Sequence, residues 1–528
     1  MDRRVAWVGT VLVLCFALLF VQMNNIQVRQ AAALDANPLN KQVIPTESPF
    51  FEPRGSIVSA DGIAVAYSVR RPDEYHYLRV YPLKTAEMFS DITGYYANAV
   101  AADPLGVEAS YNAYLEQHQS PGGSLGALLD QHTETDNVYL TVSLKTQQVA
   151  MTAFKDATVN TTGGAIVAID PQTGAILAMY GNPVYNPNRL AVHNPAAVNK
   201  LAAQLTSLPC APANTAVSTT PLSPLCNFAI DEPQPPGSTM KVVTTSAVFD
   251  HDPLIETQRF RPESTYLFPQ SNPPDHIQNY GGGDCPPSVG YLAQVLAYSC
   301  DTAFAQIGDE LGYTSLAAEA HSFGFGQVPP IDIPGAVPSV FSPANAVGDS
   351  TAYEGYSAIG QYDDRATVLQ MALIASAIAD NGVVMAPHVV SRAVNTYGET
   401  EFTYHPRVWL KATSAKTAEQ VRQLMTGVTQ VPGATAQGLF ASWYASGGPV
   451  IAAKTGTAEP TSNTCGTYNW LIALGPAAKG QVPTVAVAAM IPVSQSECAS
   501  GYFSPTGASI AGPILLPVLQ AALAQQGT

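Results

Sequence analysis

Charge is scarce in this chain: 12% of its 528 residues are Asp, Glu, Lys or Arg, and 24 basic side chains face 40 acidic ones, a formal net charge of -16. Phosphate binding needs a basic surface, so nucleic acid is excluded as a partner. No Cys-x-x-Cys or His-Glu-x-x-His string occurs, and a metal site has no support. Tyr280-Gly281-Gly282-Gly283-Asp284 is glycine-rich, but no Gly-Lys-Ser/Thr follows; it reads as a turn rather than a phosphate loop. Disorder is excluded by the opposite excess, since 46% of residues are hydrophobic.

What is present begins at the N-terminus. Arg3-Arg4 precede an apolar run from Val5 to Val21, broken only by Gly9 and Thr10. About 17 residues is the short end of a membrane-spanning helix and also fits a signal peptide. Ala31-Ala32-Ala33 lie about ten residues past the run, farther than a cleavage site sits. An uncleaved single-pass anchor in the cell membrane is therefore expected, with the N-terminus cytoplasmic and everything after Asn25 outside. Cysteine usage agrees with an oxidising location. Cys15 falls in the anchor, and Cys210, Cys226, Cys285, Cys300, Cys465 and Cys498 lie outside. The sequence does not choose among their pairings; joining neighbours would link Cys210 to Cys226, Cys285 to Cys300 and Cys465 to Cys498.

Chemistry is concentrated in three short strings: Ser238-Thr239-Met240-Lys241, Ser299-Cys300-Asp301 and Lys454-Thr455-Gly456-Thr457. Serine is a poor nucleophile at neutral pH and needs a proton acceptor within hydrogen-bond reach. If Ser238 opens a helix after Pro235-Pro236-Gly237, Lys241 shares its face one turn on. A lysine acts as a base only when neutral, which burial or a neighbouring cation favours. Lys454 could be that cation and could also hold an anionic end of a substrate, with threonine hydroxyls donating beside it. Ser299 fits a proton relay. Ser-x-x-Lys alone is weak, because with ten lysines about 0.7 chance matches are expected. Ser-x-Asp is weaker, since Ser59-Ala60-Asp61 also matches, and Lys-Thr-Gly taken alone could be a strand end before a turn.

Order and surroundings raise the specificity. Gly164 to Met179 resembles the strand and hairpin that open the transpeptidase domain of penicillin-binding proteins, and Asn227-Phe228-Ala229 through Lys241 resembles the approach to their nucleophile. Ala358-Ile359-Gly360-Gln361, Leu369-Gln370-Met371-Ala372 and Ala379-Asp380-Asn381-Gly382 follow the family's turn, helix and helix end. Asn469 to Leu474 looks like its next strand, and Ile510 to Ile514 like the start of its last helix. Upstream, Pro53-Arg54-Gly55-Ser56-Ile57-Val58 with Asp61-Gly62 resembles the signature of the class B pedestal. The chain thus resembles a class B penicillin-binding protein, nearest the actinobacterial penicillin-binding protein A type. The likeness departs at Asp301, where asparagine is common, at Phe228 and Gln234, which would change the cleft rim, and at an insertion-like stretch from Lys200 to Ser223.

The resemblance implies an α+β penicillin-binding transpeptidase / serine β-lactamase-like fold: a five-stranded antiparallel sheet with helices on both faces and an all-helical lobe. The expected domains are 1–25, cytoplasmic tip and anchor; 26–160, linker and pedestal, with a helix from Leu144 to Lys155 capped by Ser143; and 161–528, transpeptidase. Strands are expected at Gly164 to Ile169, Val450 to Lys454, Asn469 to Leu474 and Thr484 to Met490. The implied activity is D,D-transpeptidation of peptidoglycan stem peptides without a cofactor, blocked by β-lactam antibiotics. Ser238 would be the nucleophile, Lys241 the base and Ser299 the relay, while Asp301, Lys454, Thr455, Gly456 and Thr457 would bind substrate. Asp301 could act by hydrogen bonding, the preferred reading because asparagine is common at this position in the family, or its charge could tune the neighbouring lysines. Candidate protein partners are cell-wall synthesis, cell-shape and division proteins. The alternatives are a D,D-carboxypeptidase, a serine β-lactamase, or a non-catalytic β-lactam sensor or scaffold. The Glu-x-x-Leu-Asn context of the class A lactamases is absent.

Overall fold

The computed structural model describes residues 3–25, 50–73, 76–97, 105–119, 133–210, 221–269, 271, 275–342, 352–459, 466–494 and 505–527. The chain divides into two units, Met1–Phe51 and Glu52–Thr528. The first contains helix α1, Arg3–Asn24, whose large apolar side chains Trp7, Leu12, Phe16 and Phe20 are all exposed. Its side chains at 3–6, 8–11 and 23–24 lie outside the described set. Among the described residues no helix is long and apolar enough to cross a membrane. The expected linker falls almost wholly outside them.

In the second unit the strands of the two large sheets are, in chain order, β1 Ile57–Val58, β2 Ala64–Arg70, β3 Tyr77–Val80, β4 Asn137–Leu140, β5 Gly164–Ile169, β6 Ile176–Asn182, β7 Val390–Val394, β8 Thr400–Thr403, β9 Ala452–Ala458, β10 Thr467–Gly475 and β11 Val485–Val493. The helices that matter for the site are α2 Leu144–Lys155, α3 Lys241–His251, α4 Asp301–Ser322, α5 Val368–Ala379 and α6 Gly512–Gln525.

The larger sheet runs β8-β7-β4-β1-β2-β3, with β1 and β4 parallel. Its first two strands come from residues 390–403, so the pedestal sheet is completed by a segment far downstream. Beneath it lies a charged core. Glu108 is fully buried and accepts from Arg54 Nε at 2.7 Å, Arg79 Nε at 2.6 Å and Tyr81 Oη at 2.9 Å. Gly55 permits the chain to close over this core, since a Cβ there would stand 1.9 Å from the Asp136 carbonyl oxygen.

The second sheet has the order β9-β10-β11-β5-β6 and is antiparallel throughout. Every residue of β10 and β11 is buried, because helices cover both faces. Alternation along β5 divides its side chains. Val167 and Ile169 face the cluster that includes α5, whereas Ile166 and Ala168 face the one that includes α2 and α6. Burying such a side chain contributes about 1.5–3 kcal/mol. Helix α2 is capped as expected, with Ser143 Oγ accepting from the Thr146 amide at 3.4 Å, a cap of the kind that contributes about 1 kcal/mol. Although it lies in the segment read as pedestal, it packs with α6 and β6 of the second sheet. This sheet leaves β9 at its edge, facing the helical lobe that contains α4.

Candidate active site

Ser238 lies in a 3-10 turn, Gly237–Met240, and α3 begins only at Lys241. The helix therefore starts three residues later than the spacing suggested. In a 3-10 turn residues three apart eclipse one another, so serine and lysine still share a side. The turn is held against β9 at glycine positions. Gly237 has φ +53°, and a Cβ there would come within 2.9 Å of the Thr457 carbonyl oxygen. Trp470 of β10 is buried and donates its indole N–H to the Pro235 carbonyl at 2.7 Å. These contacts fix the serine beside the edge strand.

Both lysines are fully buried. Lys241 Nζ donates to the Ser299 carbonyl at 2.8 Å and to Asp301 Oδ1 at 2.6 Å, and lies 3.3 Å from Ser299 Oγ. Burial pushes its pKa down, and the Asp301 charge opposes that fall without cancelling it. Lys454 Nζ donates to Ser299 Oγ at 2.7 Å and to the Thr455 carbonyl at 2.9 Å. Burial, and then the positive charge of Lys241, hold its pKa well below that of a free lysine. Ser299 Oγ thus sits between the two amines. It reaches that place from a left-handed backbone, φ +60°, a conformation that costs a non-glycine residue of order 1–3 kcal/mol and persists where the surroundings over-determine it. The next residue, Cys300, is bonded to Cys285.

Asp301 touches both the serine and the lysine. Its Oδ1 accepts from Ser238 Oγ at 3.3 Å as well as from Lys241, and its Oδ2 accepts from the Tyr280 amide at 3.1 Å. The carboxylate joins Ser238 and Lys241 directly, so an acid stands in contact with both side chains.

The third motif lies within β9 rather than at a strand end before a turn. Thr455 Oγ1 donates to Thr435 Oγ1 at 2.8 Å, and Thr457 Oγ1 accepts from the Gly507 amide at 3.3 Å. Gly456 allows close packing, since a Cβ would stand 2.8 Å from the Pro236 carbonyl oxygen. Thr435, Gly507, Trp470 and Tyr280 were not legible as site residues, because no local string marks them. Phe228 is buried under the sheet rather than on the cleft rim, and Gln234 pairs through its backbone with Ala366.

Two disulfides are formed, Cys210–Cys226 and Cys285–Cys300; Cys465 and Cys498 lie outside the described residues. Among the described residues, Cys210, Cys226 and Glu232 stand close enough to hold a metal ion, but the sulfurs are bonded to each other and offer no thiolate.

A serine in a turn beneath an edge strand, with two buried lysines meeting at a second serine, defines a serine acyltransferase of the penicillin-recognising fold. The comparisons agree. Residues 164–520 match the penicillin-binding protein transpeptidase domain, and residues 54–137 match the penicillin-binding protein A dimerisation domain. The chain belongs to the penicillin-binding protein transpeptidase family. It is 35% identical to the peptidoglycan D,D-transpeptidase PbpA of Mycolicibacterium smegmatis, over 99% of this chain and 98% of that one. It is 33% identical to PbpA of Mycobacterium tuberculosis, covering 99% of each. The imipenem acyl-enzyme structure of penicillin-binding protein A from M. tuberculosis superimposes with a TM-score of 0.73 at 30% identity, covering 90% of this chain and all of that one.

Proposed function

We infer that this chain is a serine-type peptidoglycan D,D-transpeptidase that β-lactams acylate. The observation that carries this reading is the position of Ser299 Oγ between Lys241 and Lys454, with Asp301 bridging Lys241 to Ser238. Burial, and for Lys454 also the charge of Lys241, favours the neutral amine that a base requires. Lys241, neutral, takes the Ser238 proton as Oγ attacks the carbonyl between the two terminal D-alanines of a stem peptide. The oxyanion is held by the Ser238 and Thr457 amides, a kind of contact that contributes about 3–4 kcal/mol per donor. The proton passes through Ser299 to the leaving D-alanine nitrogen as the C–N bond breaks. The amine of a second stem peptide then attacks the ester, which returns Ser238 to its hydroxyl form and leaves the cross-link. Because β9 is an edge strand, a donor peptide can pair along it as an added strand. Lys454, Thr455 and Thr457 face its carboxylate end, and Asp301 orients the lysine and the nucleophile together.

The same reading places the protein at the cell membrane, N-terminus inside, and makes cell-wall synthesis and division proteins its candidate partners. Its support is Arg3-Arg4 before the apolar run and the exposed apolar side chains of α1.

The test is intact mass spectrometry after exposure to benzylpenicillin, with peptide mapping and a labelled stem-peptide assay. A stable adduct on Ser238, lost in Ser238→Ala with folding intact, and cross-linked rather than trimmed product are expected. An adduct that persists in Ser238→Ala would sink the assignment, and purely trimmed product would replace transpeptidase by carboxypeptidase.

A further inference from the structure

Thr455 faces the carboxylate end of a stem peptide, yet its hydroxyl is already committed. A threonine hydroxyl has one hydrogen to give, and Thr455 gives it to Thr435 Oγ1 at 2.8 Å. Lys454 is engaged as well, since its Nζ donates to Ser299 Oγ at 2.7 Å and to the Thr455 carbonyl at 2.9 Å. An incoming carboxylate needs hydrogens that are not yet spent. Among the described residues Thr435 Oγ1 accepts from Thr455 and has no acceptor for its own hydrogen. Thr457, two residues along the same face of β9, accepts from the Gly507 amide at 3.3 Å and likewise keeps its own hydrogen among the described contacts.

The loop that carries Thr435 joins the helices Ala415–Gln430 and Gln437–Ala445 and is tied to the second and third motifs together. On one side the Thr435 amide donates to the carbonyl of Ala297, two residues before Ser299, at 3.3 Å, and the Tyr298 hydroxyl donates to the Pro432 carbonyl at 2.8 Å. On the other, Thr429 Oγ1 donates to the carbonyl of Ile451, the residue before β9, at 2.7 Å. The Thr435 hydroxyl is thus delivered to the edge strand by a fixed scaffold. Thr455 is buried whereas Thr435 is partly exposed, so the outer hydroxyl of the pair is the one a ligand reaches. A hydroxyl that accepts from a neighbour also becomes a stronger donor inside a site of low dielectric.

We propose that Thr435 is a substrate-binding residue: its hydroxyl, accepting from Thr455, donates to the terminal carboxylate of the stem peptide beside Thr457. Recognition of that charge then rests in part on a residue outside the three motifs. This rests on the reading of the chain as a D,D-transpeptidase with Ser238 as its nucleophile. Thr435 reads the free carboxylate and not the acyl group, and it takes no part in proton transfer among Ser238, Lys241 and Ser299.

The test measures second-order acylation rates with benzylpenicillin, whose free carboxylate stands for that of the terminal D-alanine, and with its methyl ester, which lacks the charge. The unaltered chain is compared with Thr435→Val, which keeps the shape and removes the hydroxyl, and with Thr435→Ser, which keeps the hydroxyl. Thr435→Val should lower the rate with the acid about tenfold, within the range for one hydrogen bond to a charged group, and the rate with the ester by less than about twofold. The pH profile of acylation should stay in place, and Thr435→Ser should keep the acid-to-ester ratio of the unaltered chain. An equal loss with acid and ester would show a merely structural role, and a shifted pH profile would place Thr435 in proton transfer; either overturns the proposal. Adding Thr435→Val to Thr455→Val should still lower the rate with the acid. No further loss there would make Thr435 only a support for Thr455 and would overturn its role as a binding residue. Should the valine variant not fold, Thr435→Ala, which also lacks the hydroxyl, carries the same comparison. Failure of the unaltered chain to be labelled at all would overturn the reading of Ser238 and this one with it, whereas labelling with the same acid-to-ester ratio in Thr435→Val would remove only the role of Thr435.

Discussion

The pedestal and the active site each bury two cations around one carboxylate: Arg54, Arg79 and Glu108 in the first, Lys241, Lys454 and Asp301 in the second. In the pedestal both oxygens of Glu108 are in ion pairs with arginine. Arginine stays protonated, and its planar fork matches a carboxylate. Burial pulls the Arg54 pKa down, but Glu108, Tyr96 and Glu116 together outweigh it and the net shift is upward. Burial pushes Glu108 up, yet Arg79 and Arg54 bring it below the ordinary value of 4.5. That cluster is locked in its charged state. In the active site Lys454 makes its side-chain contacts with a hydroxyl and a carbonyl, and both lysines are pushed toward the neutral form. Similar charge counts give a cluster fixed in its charged state in one place and lysines pushed toward the neutral form in the other, because lysine can lose its proton and arginine cannot.

The contrast can be broken most forcefully at Glu108. Glu108→Gln takes the shared counter-charge from two buried guanidinium groups, leaving Arg54 only the half-exposed Glu116 at 3.6 Å, and should destabilise the fold by about 3–5 kcal/mol, read as a fall in the urea midpoint. The unaltered protein should show the matching pH dependence. A carboxylate with a depressed native pKa contributes stability above its unfolded value of 4.5, and that stability is lost as pH falls through the lowered value. An unchanged midpoint in Glu108→Gln would show that the charged cluster does not support the fold.

A catalytic counterpart is Lys241→Arg, which keeps the charge but cannot give the neutral base. Acylation by benzylpenicillin should fall at least about a hundredfold. Near-normal labelling would reject Lys241 as the base and erase the difference between the clusters.

Asp301→Asn sharpens the comparison by removing the one anion in contact with Lys241. Since that anion raises the lysine pKa, its loss lowers it further, and the acid limb of the acylation profile should move to lower pH by about one unit, on the order of 1.4 kcal/mol. A profile that stays in place would return Asp301 to a purely hydrogen-bonding role.

The smallest effect is expected on stability at Lys454. Its lowered pKa means that the charged form is disfavoured by folding, so stability should rise with pH between the lowered value and 10.5. Lys454→Met should therefore raise unfolding stability by about 1 kcal/mol at neutral pH while acylation collapses. A lower urea midpoint would show that the lysine supports the fold.

Local signals in the sequence reached far into this molecule. The capped helix α2, the β5–β6 hairpin and the buried runs that became β10 and β11 are contacts between near neighbours, set by period, cap and turn. The three catalytic strings and their order also identified the residues that meet in the cleft, since each brings its chemistry in a short stretch. Misreadings fell where a second segment decides. Ser238 was expected to open a helix, but packing of Gly237 on Thr457 tightens that turn. The choice left open at Asp301, hydrogen bond or charge, also turns on a second segment, since its carboxylate meets Lys241, 60 residues away.

By itself the sequence determined the family, the three short strings that meet in the cleft, the apolar N-terminal helix and the strands of the second sheet. Only the tertiary structure decided that residues 390–403 complete the pedestal sheet, that Ser299 reaches both amines from a left-handed backbone, and that Tyr280 crosses to Pro505, 225 residues on. The physical reason is range. Backbone propensity and hydrophobic period act over a few residues, whereas a lysine's pKa and a hydroxyl's partner depend on distances of a few ångströms between segments that only the fold brings together.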